Sequence, residues 1–176
     1  MRRVQTSIWA GLALALAACN EPGELYQRPA AEVHDLLRTV EVPLYMLGSN
    51  ADTRASVDAS DPSKVVWKVR ADDSPLMTFT ATLVAEGAAK TRVIVDVEGS
   101  KQGRFGDMQA KLAKAREIRA MYLVSMVEAV DSTLDGRAYD ITVTYGAMLT
   151  AATANADRMF PPSSVSNASE TPGNVR

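Results

Sequence analysis

Three stretches in the middle of the chain alternate between apolar and polar positions with a period of two. In "SKVVWKVRADD", Val65, Trp67 and Val69 alternate with Val66, Lys68 and Arg70. In "LMTFTATLVAEG", Thr78, Thr80 and Thr82 alternate with Met77, Phe79, Ala81 and Leu83. In "AAKTRVIVDVEGS", Val93, Val95 and Val97 are set against Arg92, Asp96 and Glu98. Side chains of a strand point to opposite faces in turn, so each stretch reads as a strand with one face on a core and one toward water. Glu86-Gly87-Ala88-Ala89 separates the second from the third and reads as a hairpin turn. The pattern predicts an antiparallel meander of three strands, with Arg54 to Ala59 as a possible fourth.

Helical spacing flanks the meander. Val33, Leu36, Leu37 and Val40 recur at intervals of three and four, which predicts a helix from Pro29 that Pro43 terminates. After the glycine-containing break "SKQGRFGDMQ", Asp107 is a candidate N-cap. Met108 to Leu134 then runs without Gly or Pro. This predicts one continuous helix of about 40 Å. Its first half is charged (Lys111, Lys114, Arg116, Glu117, Arg119) around a stripe of Met108, Leu112, Ala115 and Ile118. Its second half, "MYLVSMVEAV", is apolar nearly all round, so it must be covered on all sides. Asp135-Gly136 supplies the stop. The candidate cover is a helix over 141–159, capped by Asp140, with Ile141, Tyr145, Leu149 and Ala152 on one face. The same segment also fits an added strand, through Ile141, Val143 and Tyr145. Pro161-Pro162 ends it, and the Ser-, Asn- and Pro-rich tail 161–176 has almost nothing to bury and reads as disordered. The expected fold is α+β: an N-terminal helix, the meander, the long helix and a C-terminal helix packed on the sheet. Residues 29–160 form the single domain.

Composition narrows what this domain can do. The 176 residues are 47% hydrophobic and 23% charged, with net charge −2. The basic residues are scattered, which argues against a nucleic-acid partner. The chain has one Cys and one His. It therefore has no internal disulfide and no Cys-rich zinc site, and little material for a His-based triad.

That single cysteine closes the N-terminal pattern. Arg2 and Arg3 precede an apolar run from Ile8 to Ala18, too short to span a bilayer. The run ends in Leu16-Ala17-Ala18-Cys19, followed by Asn20. This segment resembles the signal peptide of bacterial lipoproteins, and "LAAC" is similar to their lipobox. The resemblance covers only the first twenty or so residues. It implies cleavage between Ala18 and Cys19, diacylglyceryl transfer to the Cys19 thiol and acylation of the new amino terminus. A plain secretory signal with a chance cysteine is the alternative. Several acyl chains hold a protein to a bilayer stably where one does not. Residues 1–18 would then be the signal peptide, with 19–28 the lipidated cysteine and a tether. Losing Arg2 and Arg3 removes two basic residues and no acid, taking the net charge from −2 to −4. In lipoproteins an aspartate after the cysteine favours inner-membrane retention, so Asn20 leans toward the outer membrane. The implied location is the bacterial envelope, facing the periplasm.

Candidate chemistry is sparse. There is no GxSxG, HExxH, CxxC or phosphate-cradling glycine loop, and no motif calls for a cofactor or a metal. Asp72-Asp73 reads as a turn before Ser74-Pro75 rather than a calcium site. Arg92, Asp96 and Glu98 share a strand face and suit cross-strand pairing with Lys68 or Arg70. His34 reads as a half-exposed helical histidine. Met121, Tyr122 and Met126 read as core. Asn167-Ala168-Ser169 matches a glycosylation acceptor, which carries no weight beside a bacterial signal. Lys101, Arg104 and Lys111 gather positive charge near the start of the long helix and are candidates for contact with lipid head groups or an acidic partner.

The leading expectation is a membrane-anchored envelope lipoprotein with a small non-catalytic domain that binds an envelope protein or another envelope component. The alternative is a carrier of an apolar small ligand or lipid in a cavity between sheet and long helix. A carboxylate hydrolase ranks third.

Overall fold

The computed structural model describes residues 22–47 and 52–155. The signal segment, Cys19, the loop centre at 48–51 and everything after Asn155 lie outside these residues. The described chain folds as α+β. Five strands, β1 (Glu24–Tyr26), β2 (Thr53–Asp58), β3 (Lys64–Ala71), β4 (Ser74–Ala85) and β5 (Thr91–Gly99), form one sheet. All pairs are antiparallel, in the order β1-β5-β4-β3-β2. Helices α1 (Ala30–Leu37), α2 (Met108–Lys114) and α3 (Arg116–Asp135) pack on one face. Helix α4 (Ile141–Ala154) packs against α3.

The meander follows from the alternation. Val65, Trp67, Val69, Met77, Phe79, Ala81, Leu83, Val93 and Val97 are buried in one core, while the threonines of β4 lie on the other face. One irregularity breaks the period. The register slips near Val69 and Arg70, and both Leu76 and Met77 turn inward, as a bulge allows. Asp72 and Asp73 form the β3–β4 turn, with φ of 46° and 60°. This is the two-residue hairpin geometry that Asp tolerates. The possible fourth strand is β2, an edge strand with mostly exposed side chains.

Four expectations are corrected. Residues 24–26, read as part of the tether, form β1: Glu24 lies opposite Val93 and Tyr26 opposite Thr91. Tyr26 is buried, and its hydroxyl donates to Asp131 of α3. The first helix stops at Leu37 rather than near Pro43, because the amide and hydroxyl of Thr39 both donate to the Leu36 carbonyl, at 2.9 and 2.8 Å. Val40 is still buried, but from a loop.

The long helix is broken at Ala115, which has φ −111° and ψ 77° and serves as C-cap of α2 and N-cap of α3. No Gly or Pro causes the break. Tertiary ties hold the two pieces separately: Gly99 N–H donates to Gln109 Oε1 at 2.7 Å, and Arg119 donates to Asp96.

Finally, α4 covers α3, but not with the expected face. Thr144 and Ala151 are buried, whereas Ile141, Tyr145 and Leu149 are exposed, Leu149 by 70%. Small residues let the two helices approach. No α4 side chain belongs to the main core among the described residues.

Gly99 marks the closest approach of sheet and helix. A Cβ there would lie 2.4 Å from the Gln109 nitrogen and 2.4 Å from the Met108 carbonyl carbon. Both are backbone atoms that cannot swing aside. Gly99→Ala should therefore lift α2 from β5 and cost about 1–3 kcal/mol, measurable as a lower denaturation midpoint.

Candidate functional site

The two ends of α4 are built differently. Its N-terminal end is fastened. Asp140 Oδ1 caps the helix, accepting from the Thr142 amide at 2.9 Å and its hydroxyl at 2.6 Å. The Tyr45 hydroxyl lies 2.8 Å from that of Tyr139 and 3.0 Å from that of Thr144. The Glu128 side chain, only 4% exposed on α3, takes both arms of the Arg137 guanidinium and, at 2.8 Å, the Asp140 amide. Arg137 holds the Glu128 carboxyl below the usual glutamate range, against the opposing effect of burial.

The C-terminal half of α4 instead stands away from α2 and the start of α3 and leaves a groove of about 730 Å³. Met108, Leu112, Ile118, Met121, Tyr122 and Met148 give it an apolar lining, with Ala115, Ala151 and Ala152 as small lining positions. Lys111, Lys114 and Asn155 supply its polar groups. Burial raises the Tyr122 hydroxyl above the usual tyrosine range. The volume is in the range of small-molecule sites, and a mostly apolar lining with few polar groups is their usual make-up. Unbranched, polarisable methionines adapt to flexible apolar shapes.

The break at Ala115 helps to shape this site. A straight helix through 115 would place α2 and α3 on one axis. The break lets α2 pack on the end of β5 while α3 runs back along β5, and Leu112, Lys114, Ala115 and Ile118 at the corner line one side of the groove.

The candidates from sequence are dispersed. Ala18 and Cys19 lie outside the described residues. Lys101 is exposed in the turn after β5. Arg104 is committed to the β3–β4 turn, with Nη1 2.7 Å from Asp72 Oδ2 and its guanidinium 5.4 Å from the Phe105 ring centroid. Lys111 pairs with Asp107 at 2.9 Å and also lines the groove, beside Lys114. Of the three basic candidates, only Lys111 reaches the groove.

Met126 is core, as expected, but Met121 and Tyr122 serve both core and groove. The cross-strand pairs are also different. β4 lies between β3 and β5, so Lys68 pairs with Asp58 at 2.9 Å, Arg92 with Glu86 at 2.6 Å, and Asp96 with Arg119. The His34 side chain is 13% exposed, more buried than expected, with Nδ1 4.0 Å from Asp35. Among the described residues no group of three His, Cys, Asp or Glu side chains is arranged to hold a metal ion. No helix there is long and apolar enough to cross a membrane.

The reading from sequence missed Met148, Ala152 and Asn155 as site residues. A signal was present: 141–154 contains no charged residue, which is unusual for a helix with so much surface. The architecture is an antiparallel five-stranded sheet with helices on one face and one further helix outside them. Comparison of the chain with protein-family models, curated proteins and solved structures finds no match.

Glu128→Gln tests the fastening of α4. A carboxyl held low in the fold contributes stability that is complete above the unfolded glutamate value, about pH 4.3. That contribution is lost as pH falls toward the folded value. The variant should lose about 2 kcal/mol at pH 7. Its deficit should narrow in acid, as read by denaturant unfolding at pH 7 and pH 3.

Proposed function

We propose that the chain is a lipoprotein of the bacterial envelope, anchored through Cys19, whose folded domain binds an acyl chain or a similarly apolar ligand. The groove between α2–α3 and α4 is the observation that carries the binding half of this reading. Its volume and mostly apolar lining suit a flexible apolar chain, and Lys111 and Lys114 stand at the groove, where an acidic or phosphate-bearing head would lie. The anchor half rests on the lipobox-like Leu16-Ala17-Ala18-Cys19 and on the short distance from Cys19 to the first strand. Of the two sequence expectations, the groove favours the apolar-ligand alternative, although it lies between helices and not between the sheet and the long helix as expected.

The outer face of α4 favours a second reading, a protein partner in the envelope. Ile141, Val143, Tyr145 and Leu149 are each more than 40% exposed, and aromatic and aliphatic anchors of this kind carry interface energy. Crosslinking and pull-down from native membranes tests it. Recovery of lipid with no protein would count against a protein partner.

Two measurements test the main reading. Cys19→Ser should abolish metabolic labelling of the chain by a fatty acid, and retained labelling would sink the anchor. The same unlipidated protein should bind a fluorescent fatty acid saturably, one per chain. Ala152→Trp fills the groove from an exposed α4 position and should weaken that binding by at least about tenfold, or 1.4 kcal/mol. Absent binding, or binding indifferent to Ala152→Trp, would overturn the groove as the site.

A further inference from the structure

We infer that the outer edge of β2 pairs with β2 of a second copy of this chain, about a two-fold axis through Ser56, so that two sheets join into one. This contact stands apart from the groove and from the lipid anchor.

The two edges of the sheet are built differently. An open strand edge is a template for another chain, and edges that stay single are short or carry proline, a bulge or an inward-pointing charge. β1 is three residues long and follows Pro22-Gly23. β2 has six residues and none of these devices. Its register against β3 runs without a slip from Thr53 opposite Ala71 to Asp58 opposite Val66. Among the described residues no strand lies on its other side. Residues directly opposite each other share a face. Thr53, Ala55 and Val57 therefore lie on the core face, opposite Ala71, Val69 and Trp67. None of the three is charged, and Val57 is 46% exposed. Beside them a hollow of about 410 Å³ includes Val40, Val42, Leu44 and Trp67 in its lining. The apolar face of the sheet thus reaches this edge still open.

The strand's own residues select the partner. Opposed residues of an antiparallel pair are either both hydrogen-bonded across the pair or both not. A two-fold axis relating identical strands must therefore pass through a residue rather than between two. With the axis at Ser56, Arg54 lies opposite Asp58 of the second copy, and Asp58 opposite its Arg54. Ala55 then lies opposite Val57, which extends the open apolar row across the axis. Opposite charges and apolar side chains are both favourable cross-strand pairs. An axis at Ala55 would set Arg54 opposite Ser56, and one at Val57 would set Asp58 opposite Ser56. Both leave the charges unmatched. In the single chain Arg54 donates to Asp52, and Asp58 accepts from Lys68 and Ser60, all at exposed positions. Surface pairs of this kind are worth little, so they do not hold the two side chains back. A foreign extended peptide would use the same main-chain bonds, but the charge match is written into β2 itself.

Sedimentation of the full chain carrying Cys19→Ser, in mild detergent, tests this. That background has no other thiol. Strand pairing of this length is a small interface and a weak one, so a reversible dimer is expected at about 100 µM. Arg54→Asp and Asp58→Lys should each weaken it at least about tenfold, because each sets like charges opposite across the axis. An equal mixture of the two variants should recover the dimer, since each supplies the charges that the other lacks. Ser56→Cys, a nearly isosteric change that keeps the test open if a charge variant misfolds, should form a covalent dimer on mild oxidation. Lys101→Cys, in the turn after β5, should not. A chain that stays monomeric at that concentration overturns the inference. So does a dimer indifferent to both charge variants, or one in which Ser56→Cys gives no crosslink, because the contact then lies elsewhere. A mixture that stays monomeric overturns the axis at Ser56 and with it the self-pairing.

Discussion

Residues 121–130 of helix α3 are apolar except for Ser125 and Glu128, and all of them are buried or half-buried. Covering them organises the helical side of the molecule. The sheet and α1 cover one side, with Met126, Ala129, Val130 and Leu134 in the main core. The other side needs a separate element, and α4 supplies it. The one acidic residue buried in α3, Glu128, decides where that element begins. Glu128 is buried, so its charge must be matched, and the match comes from Arg137 and the Asp140 amide. Both belong to the segment leading into α4. The helix is thus pinned at one end by polar bonds and left to lie on small side chains along its length. The groove opens at the end that these bonds do not reach.

Much of the sheet was legible because alternation is a local property. Trp67, Phe79 and Val97 declare their face through their immediate neighbours. β1 was not legible, since three residues cannot show a period and its evidence lies some seventy residues away in β5. The break at Ala115 was hidden for a similar reason. Alanine is the best helix former, and what separates α2 from α3 is the bonding of Gln109 to Gly99 and of Arg119 to Asp96. Asp140 as a cap and Gly136 as a stop were readable, because caps need only a few adjacent residues.

The site was less legible than the fold. Hydrophobicity alone assigns Ile141, Tyr145 and Leu149 to the buried side of α4, because they are its largest apolar residues. The polar fastening rotates the helix the other way, placing Thr144 and Ala151 inside. The groove is a by-product of that rotation and of the broken helix, and neither is visible in residue spacing. Lys111 was found as part of a charge cluster, yet the cluster itself dissolves, with Arg104 drawn off to the β3–β4 turn by Asp72.

β1 also bears on the order in which the molecule is assembled. Strands β2 to β5 each pair with the next in sequence, so every contact closes a short loop. β1 is the exception: its partner is the last strand of the meander, and closing so long a loop is entropically the costliest step in the sheet. The first strand of the sheet in sequence is therefore the one whose place exists last. A chain emerging with its N-terminus foremost would leave Tyr26 and the residues before it unpaired until β5 and α3 had both arrived.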